Sequence, residues 1–80
     1  MMNLKNSEAR ILAHLVKAEA GITAFSLSQG LELSWSTVTK ALRRLKIDGI
    51  AGRNQKGEYS IIDADKAKAE LDKFRKEMGL

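Results

Sequence analysis

The sequence contains no cysteine. That excludes disulfides, zinc ribbons and thiol chemistry, and gives no sign of an oxidising compartment. No apolar run approaches the roughly 20 residues that a membrane span requires. The opening residues Met1-Met2-Asn3-Leu4-Lys5-Asn6 carry neither the apolar stretch nor the small-residue cleavage site of a secretory signal. The expected location is the cytoplasm, with no membrane partner. The one histidine, His14, has neither a cysteine nor a second histidine for company. Zinc needs three or four such ligands, so no metal site is expected. There is no nucleophile–base set, no Gly-rich phosphate loop and no core large enough for a substrate pocket. The carboxylates Asp63, Asp65, Glu70 and Asp72 are spread along a lysine-rich segment rather than paired. Neither an enzyme nor a cofactor is expected.

What is present is one small domain. Eighty residues leave no room for a second, and a composition of 44% apolar and 30% charged residues is that of an ordinary globular chain. The net charge of +4 becomes informative once it is located. Acidic and basic residues cancel over residues 1–33 and again over 61–80. The excess lies in residues 34–60, where Lys40, Arg43, Arg44, Lys46, Arg53 and Lys56 face only Asp48 and Glu58. Charge segregated in this way points to a polyanionic partner.

Hydrophobic spacing divides the chain into elements. A first helix is predicted from Ser7 to about Ala20, capped by Asn6 or Ser7, with Ile11, Leu12, Leu15 and Val16 as its core stripe. Gly21 stands where a helix stops in a left-handed residue. Ile22 is extended, a candidate third short strand, and Thr23 caps a second helix from Ala24 to about Gly30 that should bury Phe25, Leu27 and Leu31. After the brief turn Leu31-Glu32-Leu33, Ser34 caps a third helix from Trp35 to about Ile47, which ends at Asp48-Gly49. On a helical projection Ala41, Leu42 and Leu45 fall within about 60° of Val38, whereas Ser36, Thr37, Lys40, Arg43 and Arg44 lie about 100–200° away. Ile47 falls opposite the core stripe, either as a bare surface residue or as part of a protein contact. The pattern then turns extended. Ile50-Ala51-Gly52-Arg53 and Tyr59-Ser60-Ile61-Ile62 bracket a polar connection of hairpin length, Asn54-Gln55-Lys56-Gly57-Glu58. A last helix runs from Ala64 to Leu80, capped by Asp63 or Asp65. Lys66/Glu70, Lys68/Asp72, Asp72/Lys76 and Lys73/Glu77 are its i, i+4 pairs. The expected fold class is mainly α with a small β-hairpin. Residues 1–63 form the principal unit and residues 64–80 a C-terminal helix.

Two helices joined by a tight turn, the second basic on its outer face, form a helix-turn-helix arrangement. The stretch from Ile22-Thr23 to Ile62 resembles a winged helix-turn-helix domain of bacterial and archaeal transcription regulators. The resemblance rests on Leu27, the run from Leu31 through Leu45, then Asp48-Gly49-Ile50 and a Gly-tipped hairpin ending in Tyr59. It is similar to the MarR-like and ArsR-like groups and covers about half the chain directly, with the first helix as the usual leading helix. Such domains often carry Gly in the tight turn where this chain has Glu32, which leaves the shape of that turn open. The chain is shorter than most full-length members, so effector sensing does not carry over. The resemblance implies a nucleoid-associated regulator that binds double-stranded DNA through its third helix in the major groove.

The chemistry of the residues agrees. Arg and Lys bond phosphates, and Arg also reads guanine edges. Hydroxyls at a helix start stand beside free backbone N–H groups, where phosphate binds readily. The expected DNA-binding set is Ser34, Trp35, Ser36, Thr37, Thr39, Lys40, Arg43 and Arg44, with Arg53 and Lys56 on the wing reaching adjacent backbone or minor groove. Trp35 either stacks on a sugar or packs against the second helix. In the last helix, Ala67, Leu71, Phe74 and Met78 are spaced as a heptad seam. That seam folds back on the first helix or pairs with its copy in a homodimer, and the homodimer is the favoured expectation. Two rival functions remain open at this stage: an architectural, chromatin-like DNA binder, and a winged-helix module for protein–protein contact.

Overall fold

A computed structural model describes residues 4–18 and 20–79. Glu19 in the charge distribution and the reach of the last helix to Leu80 lie outside the described residues. The elements follow in the expected order: α1 (Asn6–Lys17), β1 (Ile22–Thr23), α2 (Ala24–Leu31), α3 (Trp35–Ile47), β2 (Ala51–Arg53), β3 (Glu58–Ile61) and α4 (Ala64–Glu77). The three strands form one antiparallel sheet in the order β1-β3-β2, with Ile22 opposite Tyr59 and Arg53 opposite Tyr59 from the other side. Ile22 is thus the third strand that its sequence suggested.

Capping chemistry sets the helix ends. In α1 the cap is Lys5, not Asn6 or Ser7: its backbone N–H donates to Glu8 Oε1 at 2.8 Å. The hydroxyl of Thr23 accepts from Ser26 N–H, that of Ser34 from Thr37 N–H, and the carboxylate of Asp63 from Lys66 N–H. Helix α3 closes in a Schellman motif. Gly49 takes φ 74°, its N–H bonds the Lys46 carbonyl, and Ile50 N–H bonds the Leu45 carbonyl at 2.9 Å. Ile50, just beyond, is fully buried. Glu32 adopts the left-handed conformation, φ 55° and ψ 42°, that glycine would supply at no cost. The tight turn therefore holds a strained, left-handed residue that is not glycine.

The core is one cluster: Ile11 and Leu12 from α1, Leu27 from α2, Val38, Leu42 and Leu45 from α3, and Ile50. Full burial of each side chain is worth about 1.5–3 kcal/mol. Two expected core residues are not in it. Val16 is 49% exposed and Phe25 61%. Val16 falls at the edge of the α1 stripe, and Phe25 sits in the first turn of α2 on its outer side. Gly21 is not a left-handed stop either. Helix α1 already ends at Ala18 in extended backbone, and Gly21 lies so close to β3 that a Cβ there would stand 2.8 Å from Glu58 Cβ.

Helix α4 folds back along α1. Ala67 and Leu71 are buried in the chain's own core and Phe74 packs against it, while Met78 is exposed. Half of the expected dimerisation seam is thereby consumed within the chain, because α1 offers α4 an apolar face already in place. The expected Lys66/Glu70 pair does not form: Lys66 Nζ donates to the Asp48 carbonyl, tying α4 to the end of α3. Glu70 is buried instead. Asp72 meets Arg75 at 3.6 Å.

Candidate nucleic-acid interface

Helix α3 carries the site. With Val38, Ala41, Leu42 and Leu45 buried, 100° per residue places Ser36, Lys40, Arg43 and Ile47 at the centre of the outward face. Trp35 and Thr39 lie toward one flank, and Thr37 and Arg44 toward the other. Ser36, Lys40 and Arg43 are exposed. No acidic residue interrupts α3 between its caps. Lys40 and Arg43 make the middle of the face basic, and the exposed Ile47 ends it.

The two flanks meet different neighbours. On one side, Trp35 and Thr39 share a cleft with Arg53 and Lys56 of the β2–β3 wing. The wing is held by Asn54, whose Oδ1 accepts the backbone N–H groups of Lys56 and Glu58, both at 2.9 Å. Gly57 takes φ 80° at its tip, under the Arg53 guanidinium: a Cβ at Gly57 would lie 3.4 Å from Arg53 Nη2. A larger residue there would touch the guanidinium and be strained by the positive φ. On the other side, Thr37, Lys40, Arg43 and Arg44 line a cleft of about 460 Å³ with Lys5, Ser7 and Glu8 at the start of α1. The wing and the N-terminal end of α1 thus flank the outward face of α3 on its two sides.

Individual residues divide by what holds them. Ser34 spends its hydroxyl locally, accepting from Thr37 N–H at 3.1 Å and donating to Thr37 Oγ1 at 2.8 Å. The Thr39 hydroxyl donates to the Ser36 carbonyl at 3.1 Å. These contacts fix the first two turns of the helix more than they present donors to a ligand. Trp35 is 56% exposed and lies against the wing cleft. Arg44 is the largest departure from expectation. Its Nη1 donates to both oxygens of Glu8, at 2.8 and 2.6 Å, and its side chain is 40% exposed while that of Glu8 is 4% exposed. It is therefore first a strut between α3 and α1, whereas Arg43, one residue earlier, stands in solvent.

The contribution of Lys5 and Ser7 was not readable from local pattern, since helical periodicity does not say which helix end lies beside which. One signal was available for the strut. Glu8 sits three and four residues before Ile11 and Leu12, on the apolar stripe, where a carboxylate must find a partner.

Among the described residues, no group of His, Cys, Asp or Glu is placed to hold a metal ion, and no helix is long and apolar enough to cross a membrane.

Comparison with known proteins follows the same geometry. The ST1889 protein from the thermoacidophilic archaeon Sulfolobus tokodaii is 26% identical, with a TM-score of 0.72 over 95% of this chain and 81% of its own. A possible transcriptional regulator from Methanosarcina mazei is 20% identical, with a TM-score of 0.72 over 96% of this chain and 72% of its own. A MarR family protein of Mycobacterium tuberculosis is 18% identical, with a TM-score of 0.69 over 94% of this chain. This chain spans 60% of the length of that protein. At such identities the last two show a shared fold. No curated protein sequence matches the chain. The family model described as winged helix-turn-helix DNA-binding matches residues 5–50, more than half the sequence and including the whole of α1, α2 and α3. The chain belongs to the winged helix-turn-helix DNA-binding family.

Proposed function

We propose that the protein is a transcription regulator that binds double-stranded DNA sequence-specifically, with α3 in the major groove and the wing on adjacent backbone or minor groove. The observation that carries this reading is the uninterrupted basic face of α3, centred on Lys40 and Arg43, flanked by wing cations on one side and the start of α1 on the other. A helix of 13 residues fits a major groove, where Arg43 is placed for base edges and Lys40, Arg53 and Lys56 for phosphates. Transcription regulators among the similar structures support the regulatory role. The protein acts as a homodimer in this reading, pairing through the end of α4, where Met78 is exposed and Phe74 only partly buried, because two-fold pairing lets two α3 helices address successive groove faces. It works in the cytoplasm on the nucleoid.

The test is a shift series on random and selected duplexes at two salt concentrations. Arg43→Ala should cost about 1–3 kcal/mol on the selected duplex if the guanidinium makes a bidentate base contact. The loss on random DNA should be smaller. Equal affinity for all duplexes in the parent protein would favour the architectural role instead. Undiminished binding by Arg43→Ala combined with Lys40→Ala would remove α3 as the reading element.

A further inference from the structure

Three of the four aromatic residues in the chain, Phe25, Trp35 and Tyr59, converge on one cleft between the starts of α2 and α3 and the wing. Core formation accounts for Tyr59, which is partly buried against the core, but not for the other two. Phe25 is 61% exposed and Trp35 is 56% exposed, although an aromatic ring gains more from burial than almost any other side chain. Arg53 stands opposite Tyr59 across the β2–β3 pair, which puts their side chains on one face of the sheet. Lys56 completes the rim, and no carboxylate lines the cleft. Helices α2 and α3 both present their N-terminal ends here, adding positive potential. The volume is about 270 Å³, just below the roughly 300–1,000 Å³ typical of small-molecule pockets. Exposed aromatic faces beside cations form the platform on which unstacked bases bind while their phosphates are neutralised. A fully paired duplex has no free base face to offer it.

We propose that this cleft takes an unstacked nucleobase of a nucleic-acid strand, stacked on Phe25 and Trp35, with the flanking phosphates held by Arg53 and Lys56. The inference rests on the nucleic-acid reading of α3 and the wing and adds to it a second mode of binding. The source of the base is either a bulge in a duplex or a free single strand, and the experiment separates them.

Trp35 is the only tryptophan, so its fluorescence reports on the cleft directly. The full chain is titrated with a paired duplex, the same duplex carrying one bulged thymidine, and a thymidine homo-oligomer. The bulged duplex should bind about tenfold more tightly than the paired one, in line with alanine-scanning losses at stacking platforms, and should quench Trp35 more strongly. Phe25→Ala should abolish that preference while leaving paired-duplex affinity within about twofold, and Phe25→Tyr should keep it. Binding to the homo-oligomer as tight as to the bulge identifies a free strand; binding to the bulge alone identifies a base extruded from a duplex. Equal affinity and equal quenching for bulged and paired DNA would overturn the inference, as would a preference that survives Phe25→Ala. Failure of the major-groove reading looks different. Arg43→Ala would then leave paired-duplex affinity unchanged, whatever the bulge does.

Discussion

Arg43 and Arg44 are adjacent in sequence, and replacing each by alanine should separate binding from folding. Arg44 donates to both oxygens of Glu8, at 2.6 and 2.8 Å, and the Glu8 side chain is only 4% exposed. Arg44→Ala leaves that carboxylate buried, with the Lys5 N–H at 2.8 Å as a remaining donor. Breaking a fully buried ion pair from one side costs about 3–5 kcal/mol. The Arg44 side chain is 40% exposed, so water will enter the vacated space and solvate part of the charge; about 2–3 kcal/mol is the reasonable figure. A domain of 80 residues has roughly 4–12 kcal/mol in total at typical per-residue stability. The variant should therefore fold, with a melting temperature lower by about 10–20 °C. Arg43→Ala, with its side chain in solvent, should change stability by less than about 0.5 kcal/mol. Thermal melting by far-ultraviolet circular dichroism at neutral pH reads both. Glu8→Gln keeps the shape and the acceptor for Lys5 N–H but removes the charge. The double variant with Arg44→Ala should accordingly be more stable than the two single losses predict, by about 1 kcal/mol or more. If Arg44→Ala melts within about 2 °C of the parent, the strut contributes nothing and the reasoning fails.

Lys56→Gln should reduce the slope of log affinity against log salt by about 1 through loss of one phosphate contact; an unchanged slope would take the wing off the DNA. Glu32→Gly should raise stability by about 0.5–1 kcal/mol, because it relieves a left-handed side chain at the end of α2, and a urea midpoint at or below that of the parent would contradict it. Phe74→Asp should lower stability by about 2 kcal/mol, since the ring packs on the α1 side of the core. The parent protein should sediment as a dimer at micromolar concentration and this variant as a monomer. A clean monomer for the parent would defeat the homodimer.

The sequence by itself determined the local features. Ser34, the span Trp35–Ile47 and the stop at Asp48-Gly49 were legible to the residue, as were the Thr23 cap and the Gly57-tipped hairpin. Each depends on side chains bonding backbone only a few positions away, or on a periodicity that one element carries alone. The basic face of α3 was legible for the same reason: Val38, Ala41, Leu42 and Leu45 fix one side of the helix, and Lys40 and Arg43 must then occupy the other.

What the tertiary structure decided is which surface covers which. Arg44 and Glu8 are 36 positions apart, and no local rule joins them; only the packing of α1 on α3 brings the guanidinium to the carboxylate. Phe25 reads as core by its spacing, yet it lies on the outer side of the first turn of α2, whose inner side is filled by Ala24, and it stands open in the wing cleft. The seam of α4 has heptad spacing that serves a partner copy or the chain's own α1 equally well. Ala67 and Leu71 are buried against α1 because a neighbour tethered by the chain needs no loss of translational freedom to dock. Spacing defines the faces of an element, and the rest of the chain chooses what meets them.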